Sequence, residues 1–238
     1  MRRLLLSSIA VAIIFGSLAA PVASAQQSVS FYLGGFTPRA LDARPDEDVL
    51  VANGTFLATQ NQLKGIDIGE FNNVTVGGEW LFPMTRYVEG GLGLGLYQKS
   101  VPTVDTDFEH PNGSDIVQTL KLRIVPFAAT IRFLPLGKDQ PIQPYIGAGV
   151  GVYRWRYSET GEFVYSDGSI RNRNFVATGA ATGPTILGGV RVPIGPTRVG
   201  FEIRHQSAEG KVPGDELFTE GKIDLGGYNY LLTVGYRF

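Results

Sequence analysis

The clearest pattern in the chain is an alternation of period two at its end. Tyr228, Tyr230, Leu232, Val234, Tyr236 and Phe238 fall on one face, and Gly227, Asn229, Leu231, Thr233, Gly235 and Arg237 on the other. Strand side chains point alternately to opposite faces, whereas helical apolar positions recur near every 3.6 residues, so the spacing predicts a strand. The same alternation recurs upstream. Val199, Phe201 and Ile203 alternate with Gly200, Glu202 and Arg204; Ile186, Val190, Val192 and Ile194 with Leu187, Gly189 and Arg191. Ile146, Ala148, Val150 and Val152 alternate with Gly147, Gly149 and Gly151; Val88, Leu92, Leu94 and Leu96 with Glu89, Gly91, Gly93 and Gly95; Val74, Val76, Trp80 and Phe82 with Asn73, Thr75, Gly77 and Glu79. A shorter strand is expected around Val29 to Thr37. A further strand shows a change of phase: Leu120, Leu122 and Ile124 give way to Phe127, Ala129, Ile131 and Phe133. A β-bulge near Val125-Pro126, which inserts one residue and tolerates proline, is the expected cause.

The connections alternate as well. Short Pro/Gly turns lie at 83–86, 135–141 and 193–196, and long polar segments at about 38–69, 101–115, 158–178 and 208–222. Three short turns and four long loops join eight strands, with both termini at the short-turn end. The first loop contains a stretch, 46–58, that fits a short amphipathic helix. Each strand carries one apolar face, and on the last strand that face is aromatic at both ends and aliphatic between. This pattern suits a transmembrane barrel with aromatic girdles at two interfaces. The predicted fold class is all-β: an eight-stranded antiparallel up-and-down transmembrane β-barrel, closed so that no backbone group is left unpaired in lipid.

Composition sharpens this picture. Residues 1–25 read as a cleaved export signal: Arg2 and Arg3, an apolar stretch to Ala20, then Ala23-Ser24-Ala25. Residues 26–238 then form one barrel domain. Loss of Arg2 and Arg3 leaves 19 of the 21 basic side chains against 22 acidic ones, a net charge of about −3 with no nucleic-acid footprint. The chain has no cysteine, which excludes disulfides, thiolate metal sites and cysteine nucleophiles. No long apolar run follows the export signal, and the mean hydropathy is only +0.04. A barrel with one lipid face and one polar face averages to such a value.

The ending Gly226-Gly227-Tyr228-Asn229-Tyr230-Leu231-Leu232-Thr233-Val234-Gly235-Tyr236-Arg237-Phe238 resembles the C-terminus of bacterial outer-membrane proteins. Ile124-Val125-Pro126-Phe127, Ile131-Arg132-Phe133 and Pro144-Tyr145-Ile146-Gly147-Ala148-Gly149-Val150-Gly151 are similar to the centre of the OmpA-like and OmpW-like outer-membrane β-barrel superfamily. That resemblance implies insertion in the outer membrane of a Gram-negative cell. It implies contact with outer-membrane lipid and lipopolysaccharide, and recognition by the barrel-assembly machinery through Tyr228, Tyr230, Tyr236 and Phe238. It implies no cofactor and names no extracellular ligand.

Several residues are candidates for chemistry. Glu79, Glu89, Lys121, Arg123, Arg132, Arg191, Glu202, Arg204 and Arg237 share the parity assigned to the lumen. An eight-stranded barrel is just wide enough for interior side chains to fill it, so an ion-pair network closing the lumen is expected, with a narrow solute channel as the alternative. The Gly-x-Gly-x-Gly runs at 91–95 and 147–151 lack dinucleotide-motif spacing and read as room for large lumenal neighbours. Asp105, Asp107, Glu109, His110 and Asp115 form an acidic loop rather than an EF-hand. His205 and Ser207, two apart on the lipid-facing parity, resemble the His-x-Ser-Asn motif of lipid A 3-O-deacylases. By that resemblance His205 is base, Ser207 nucleophile, and Glu216 or Glu220 the orienting carboxylate. Here Ala208 stands where that motif has Asn, removing an oxyanion donor. The simpler alternative is the polar end of a strand. The chain is thus expected to be a structural or binding protein that displays four long loops, with no metal site and no catalytic site required.

Overall fold

The computed structural model describes residues 27–50, 67–165, 167–212 and 221–238. The export signal over 1–25, most of the helix expected over 46–58, and Glu216 and Glu220 lie outside the described residues. Among the described residues ten strands follow in order: β1 (Ser28–Pro38), β2 (Asn73–Pro83), β3 (Val88–Glu109), β4 (Asp115–Phe133), β5 (Gln143–Val164), β6 (Ile170–Ile194), β7 (Thr197–Gln206), β8 (Glu209–Val212), β9 (Gly221–Asp224) and β10 (Gly227–Arg237). Eight of them close a barrel in the order β1-β10-β7-β6-β5-β4-β3-β2, and β8 with β9 form a separate two-stranded sheet. Every barrel pairing is antiparallel, and the first and last strands pair from Ser28↔Arg237 to Pro38↔Gly227. Closure therefore removes both sheet edges, as the alternation requires.

The outer surface of this barrel is apolar. Phe31, Leu33, Val76, Leu94, Phe127, Ile131, Ile146, Val150, Ile186, Val199, Ile203 and Leu232 are all exposed. No water-soluble barrel would show so continuous an apolar belt, which matches a hydrocarbon solvent. Tyr228, Tyr230, Tyr236 and Phe238 point outward, as expected, and Trp80 packs at a tilt against Phe82 near the short-turn end, with ring centroids 5.6 Å apart.

Strand lengths divide into two classes. β1, β2, β7 and β10 have 10 or 11 residues, the number a tilted strand needs to cross a bilayer, roughly 9–11. β3, β4, β5 and β6 have 22, 19, 22 and 25, about twice that. Their additional rungs form a wall standing beyond the apolar belt at the end opposite the termini. Two of the four expected loops, 101–115 and 158–178, are thus mostly strand, closed by tight turns in which His110 N bonds Ser114 O and Tyr165 N bonds Ser169 O.

The expected bulge at Val125-Pro126 is absent. β4 pairs with β5 in one unbroken register from Gln118↔Gly161 to Phe133↔Ile146, and even-numbered residues face inward throughout. The irregularity in the β3–β4 pairing lies instead between Val104 and Glu109. The apparent change of phase comes from the surroundings: Phe127 and Ile131 are apolar because they face lipid, whereas Leu120, Leu122 and Ile124 are apolar because they are buried inside. Lys121 and Arg123, expected in the lumen, consequently face outward and are exposed.

Candidate functional site

The lumen is filled from the termini end upward. The first cluster centres on Glu89, whose two oxygens accept from Arg191 Nη1 and Nη2 at 2.8 Å each, a bidentate pair. Arg191 Nε donates to Gln143, and Arg198 lies 3.7 Å from Glu89 and donates to Ser28. The second cluster is electrically balanced. Arg132 Nη2 donates to Glu79 and, at 2.9 Å, to Glu202; Arg204 donates to Glu202 through Nε at 2.9 Å and Nη2 at 2.6 Å. Tyr145 OH donates to Glu202 and Thr130 OH to Glu79. All of these charged side chains are buried, and each lies against an opposite charge, as buried ions require, while Arg132 Nε and Arg198 Nε have no hydrogen-bond partner among the described residues. Of the nine residues expected in the lumen, Glu79, Glu89, Arg132, Arg191, Glu202 and Arg204 join these two clusters, and Arg237 lies half-buried at the end of β10.

Above the ions the lining turns aromatic. Tyr97, Leu122, Ile124, Tyr153, Trp155 and Tyr157 point inward and are almost wholly buried. The void between the two regions, bordered by Tyr32, Tyr153, Thr185, Arg204 and Gln206, measures about 20 Å³, room for about one water molecule. Glycine provides space for these rings: a Cβ at Gly179 would lie 2.7 Å from Trp155 and one at Gly210 2.3 Å from its Nε1. Gly95 likewise leaves room for the Tyr32 hydroxyl, so these lumenal glycines make space for large side chains.

A cap covers the aromatic plug. Ile223, Leu225 and Val212 from the β8–β9 segment, with Phe71 from a 3-10 turn (Ile68–Phe71), are buried against it. Tyr97 OH donates to Phe71 O. The cap is latched by charge. Arg39 pairs with Asp224 at 3.0 Å, and Arg44 donates to Asp48 at 3.2 Å and to Asp224 O at 2.7 Å. Asp48 accepts from the backbone N–H of Leu50 and Asp224. Burial pushes the Asp48 carboxyl above its ordinary value of 3.8, outweighing the pull of Arg44 and these hydrogen bonds. Nothing in the spacing of these four residues marks them in the sequence, because the latch joins two connections over 170 residues apart.

The His205–Ser207 pair is not assembled as a base and nucleophile. The His205 ring packs on Tyr228 at 4.7 Å, while Ser207 Oγ accepts from Arg39 Nη2 at 2.8 Å. No hydrogen bond joins the two among the described residues, and the base-to-nucleophile contact is what acyl transfer needs. In the expected acidic loop, His110 Nε2 lies 2.8 Å from Glu162 Oε2 on the neighbouring hairpin.

The outward face of the wall carries a different arrangement. Lys121, Arg123, Arg154 and Arg156 are exposed there, and a groove of about 370 Å³ runs past Lys121, Arg123, Arg156, Ser158, Thr160 and Asn174.

No family model matches this chain, and no curated protein matches it. Among solved structures it is similar to the outer membrane protein OprG from Pseudomonas aeruginosa, at 12% identity, with a TM-score of 0.52 and coverage of 90% of this chain and 96% of that one. Neisserial surface protein A matches at 12% identity and a TM-score of 0.46 over 90% and 97% of the two chains. The E. coli outer membrane protein W matches at 19% and 0.36 over 90% and 98%. At such identities the likeness is one of fold. The closed ring of eight antiparallel strands, its continuous apolar belt and its likeness to OprG together give this chain the fold of the small outer-membrane β-barrels.

Proposed function

We propose that this chain is an integral outer-membrane barrel that does not conduct, and that it acts through the surfaces it presents at the end opposite its termini. The observation that carries this reading is the filled lumen. Two buried ion clusters, an aromatic plug and a latched cap succeed one another along the barrel axis, and the void between polar and aromatic regions is about 20 Å³. A solute path would need continuous water, and here the charged lumenal side chains bind one another while buried rings fill the space beyond them. β1 begins and β10 ends at the short-turn end, so the wall of β3–β6 and the cap face the cell exterior when that end is periplasmic, the arrangement of bacterial barrels. The outward aromatics ending in Phe238 serve assembly into the membrane.

The test is single-channel recording of the folded, detergent-purified mature barrel in planar bilayers, with heat-modifiable gel mobility establishing that the protein is folded. The expected result is a bilayer that stays at baseline. Stable conducting steps from the wild-type protein would overturn the closed-lumen reading. Extraction of the protein from membranes by carbonate without detergent would overturn the integral-barrel reading.

A further inference from the structure

We propose that the outward face of β3–β5, just beyond the lipid-facing belt, binds the phosphate groups of the phosphorylated glycolipid of the outer leaflet. This rests on the outer-membrane reading above. Four features of the face point the same way.

The first is charge. Lys121 and Arg123 on β4 and Arg154 and Arg156 on β5 all point outward and are exposed. Lys121, Arg123, Arg154 and Arg156 have no ion-pair partner among the described residues, although the mature chain as a whole carries more acidic than basic side chains. The outward positions beside them, Gln98 and Ser100 on β3, Thr119 on β4 and Thr178 on β6, are neutral.

The second is register. Arg123 and Arg156 are direct cross-strand partners, and Lys121 and Arg154 each lie one outward position along their own strands. Side chains directly opposite have Cβ atoms about 5 Å apart, and like charges there repel. An anion held between them reverses the sign of that interaction. Guanidinium groups suit phosphate because their planar donor fork bonds two oxygens at once.

The third is shape. The groove of about 370 Å³ beside these cations also presents the hydroxyls of Ser158 and Thr160 and the amide of Asn174. These are neutral donors and acceptors of the kind that hydrogen-bond a sugar.

The fourth is position. On β3, β4 and β5 the lipid-facing apolar run ends outward at Leu96, Val125 and Val152, and the next outward residues are Gln98, Arg123 and Arg154; farther out on β4 Val117 alone is an exposed aliphatic side chain. The cations therefore begin at the rung where the hydrocarbon ends, the level at which headgroup phosphates lie. A site for a soluble anion has no reason to sit on that rung.

The experiment measures lipid binding to the full mature barrel in detergent micelles by native mass spectrometry. The probes are bis-phosphorylated lipid A, the same lipid A after dephosphorylation, phosphatidylglycerol, and a soluble phosphorylated sugar as competitor. The test variant carries Lys121→Gln, Arg123→Gln and Arg156→Gln; the control carries Arg171→Gln and Arg173→Gln at the hairpin tip. All five side chains are exposed, so folding is preserved, and heat-modifiable mobility checks it. Each membrane-surface cation contributes about a fivefold factor, so the triple variant is expected to lose roughly a hundredfold in affinity for phosphorylated lipid A. The control is expected to keep it, and dephosphorylation to abolish it in the wild type. Equal binding of dephosphorylated lipid A, or full binding by the triple variant, overturns the site. Equal binding of phosphatidylglycerol reduces it to a general anionic-surface contact and overturns the glycolipid. Complete competition by the soluble sugar overturns the membrane source. Fractionation of the same cells keeps the two readings apart. A barrel found in the outer membrane that fails to bind lipid A loses this site alone. A barrel missing from that fraction loses the outer-membrane reading and, with it, the site.

Discussion

Replacing Glu202 with glutamine tests whether the lumenal charges act as a balanced unit. Glu202 is 1% exposed and accepts from Arg132, from Tyr145 and twice from Arg204. With Glu79 it neutralises the two buried guanidinium groups of Arg132 and Arg204. Glu202→Gln leaves both cations sharing Glu79 alone, and it presents an amide N–H where a guanidinium needs an acceptor. Breaking one partner of a buried ion pair costs about 3–5 kcal/mol, most of it the stranded opposite charge. Glu202→Gln combined with Arg204→Met removes one unit of each sign and leaves Glu79 with Arg132 balanced. That double variant is expected to recover most of the loss, because the penalty lies in imbalance more than in the missing bonds. The assay is equilibrium urea unfolding in lipid vesicles followed by tryptophan fluorescence. The chain has two tryptophans, Trp80 on the lipid face and Trp155 in the plug, so the belt and the lumen report together. A single variant within about 1 kcal/mol of wild type, or a double variant as weak as the single one, would refute the balance argument.

Two other outcomes follow from the latch and the strand end beside it. Ser207→Ala removes an acceptor from Arg39, which keeps Asp224. It is expected to loosen the cap by about 1 kcal/mol and to leave the acyl chains of lipid A unchanged by mass spectrometry; a difference in acylation between wild type and variant would restore the hydrolase motif. Asp48 sets a pH dependence: its folded carboxyl holds a proton to higher pH than the unfolded one. The contribution is complete below pH 3.8 and is lost as pH rises through the raised folded value, so hydrogen exchange of the β9 amides, corrected for intrinsic rate, should show easier opening on raising pH through that window. Exchange that becomes harder there would contradict the burial of Asp48.

Much of the barrel was legible in the alternation. β10, β7 and the lower parts of β2, β3, β5 and β6 each put one apolar and one polar or glycine face in register, and a lipid-exposed barrel leaves no other place for them. The lumenal ions followed from the same parity, which placed six of the nine expected charges in the two clusters. Arg198 shares that parity, but it opens β7 beside a turn and has little alternation behind it to mark its face. The latch was illegible for a different reason. Arg39, Arg44, Asp48 and Asp224 come together only because β1 and β10 are barrel neighbours, and β10 follows the β8–β9 insertion. Neither hydrophobic period nor local spacing records that meeting.

The misplacement of Lys121 and Arg123 has a more general cause. Apolar residues mark the face turned away from water, and a strand that passes through a membrane and out of it meets two such faces in turn. Within the bilayer the outside is dry, so Phe127 and Val152 point out; beyond it the outside is wet, so Ile124 and Trp155 point in. The same inversion occurs on β3, where outward Leu96 is followed by inward Tyr97. Registers Tyr97↔Ile124 and Ile124↔Trp155 put the three crossings on one rung. A bulge shifts one strand against its partners and breaks the ladder there, whereas a boundary between solvents flips neighbouring strands together and leaves the ladder whole. The proline at 126 fits a bulge on β4 alone. The Tyr-Arg-Trp-Arg-Tyr run at 153–157, coming straight after Val150 and Val152 with no residue inserted, carries the information that decides between them. It fixes where the lipid ends, and so why the cations of β4 and β5 lie at the membrane surface.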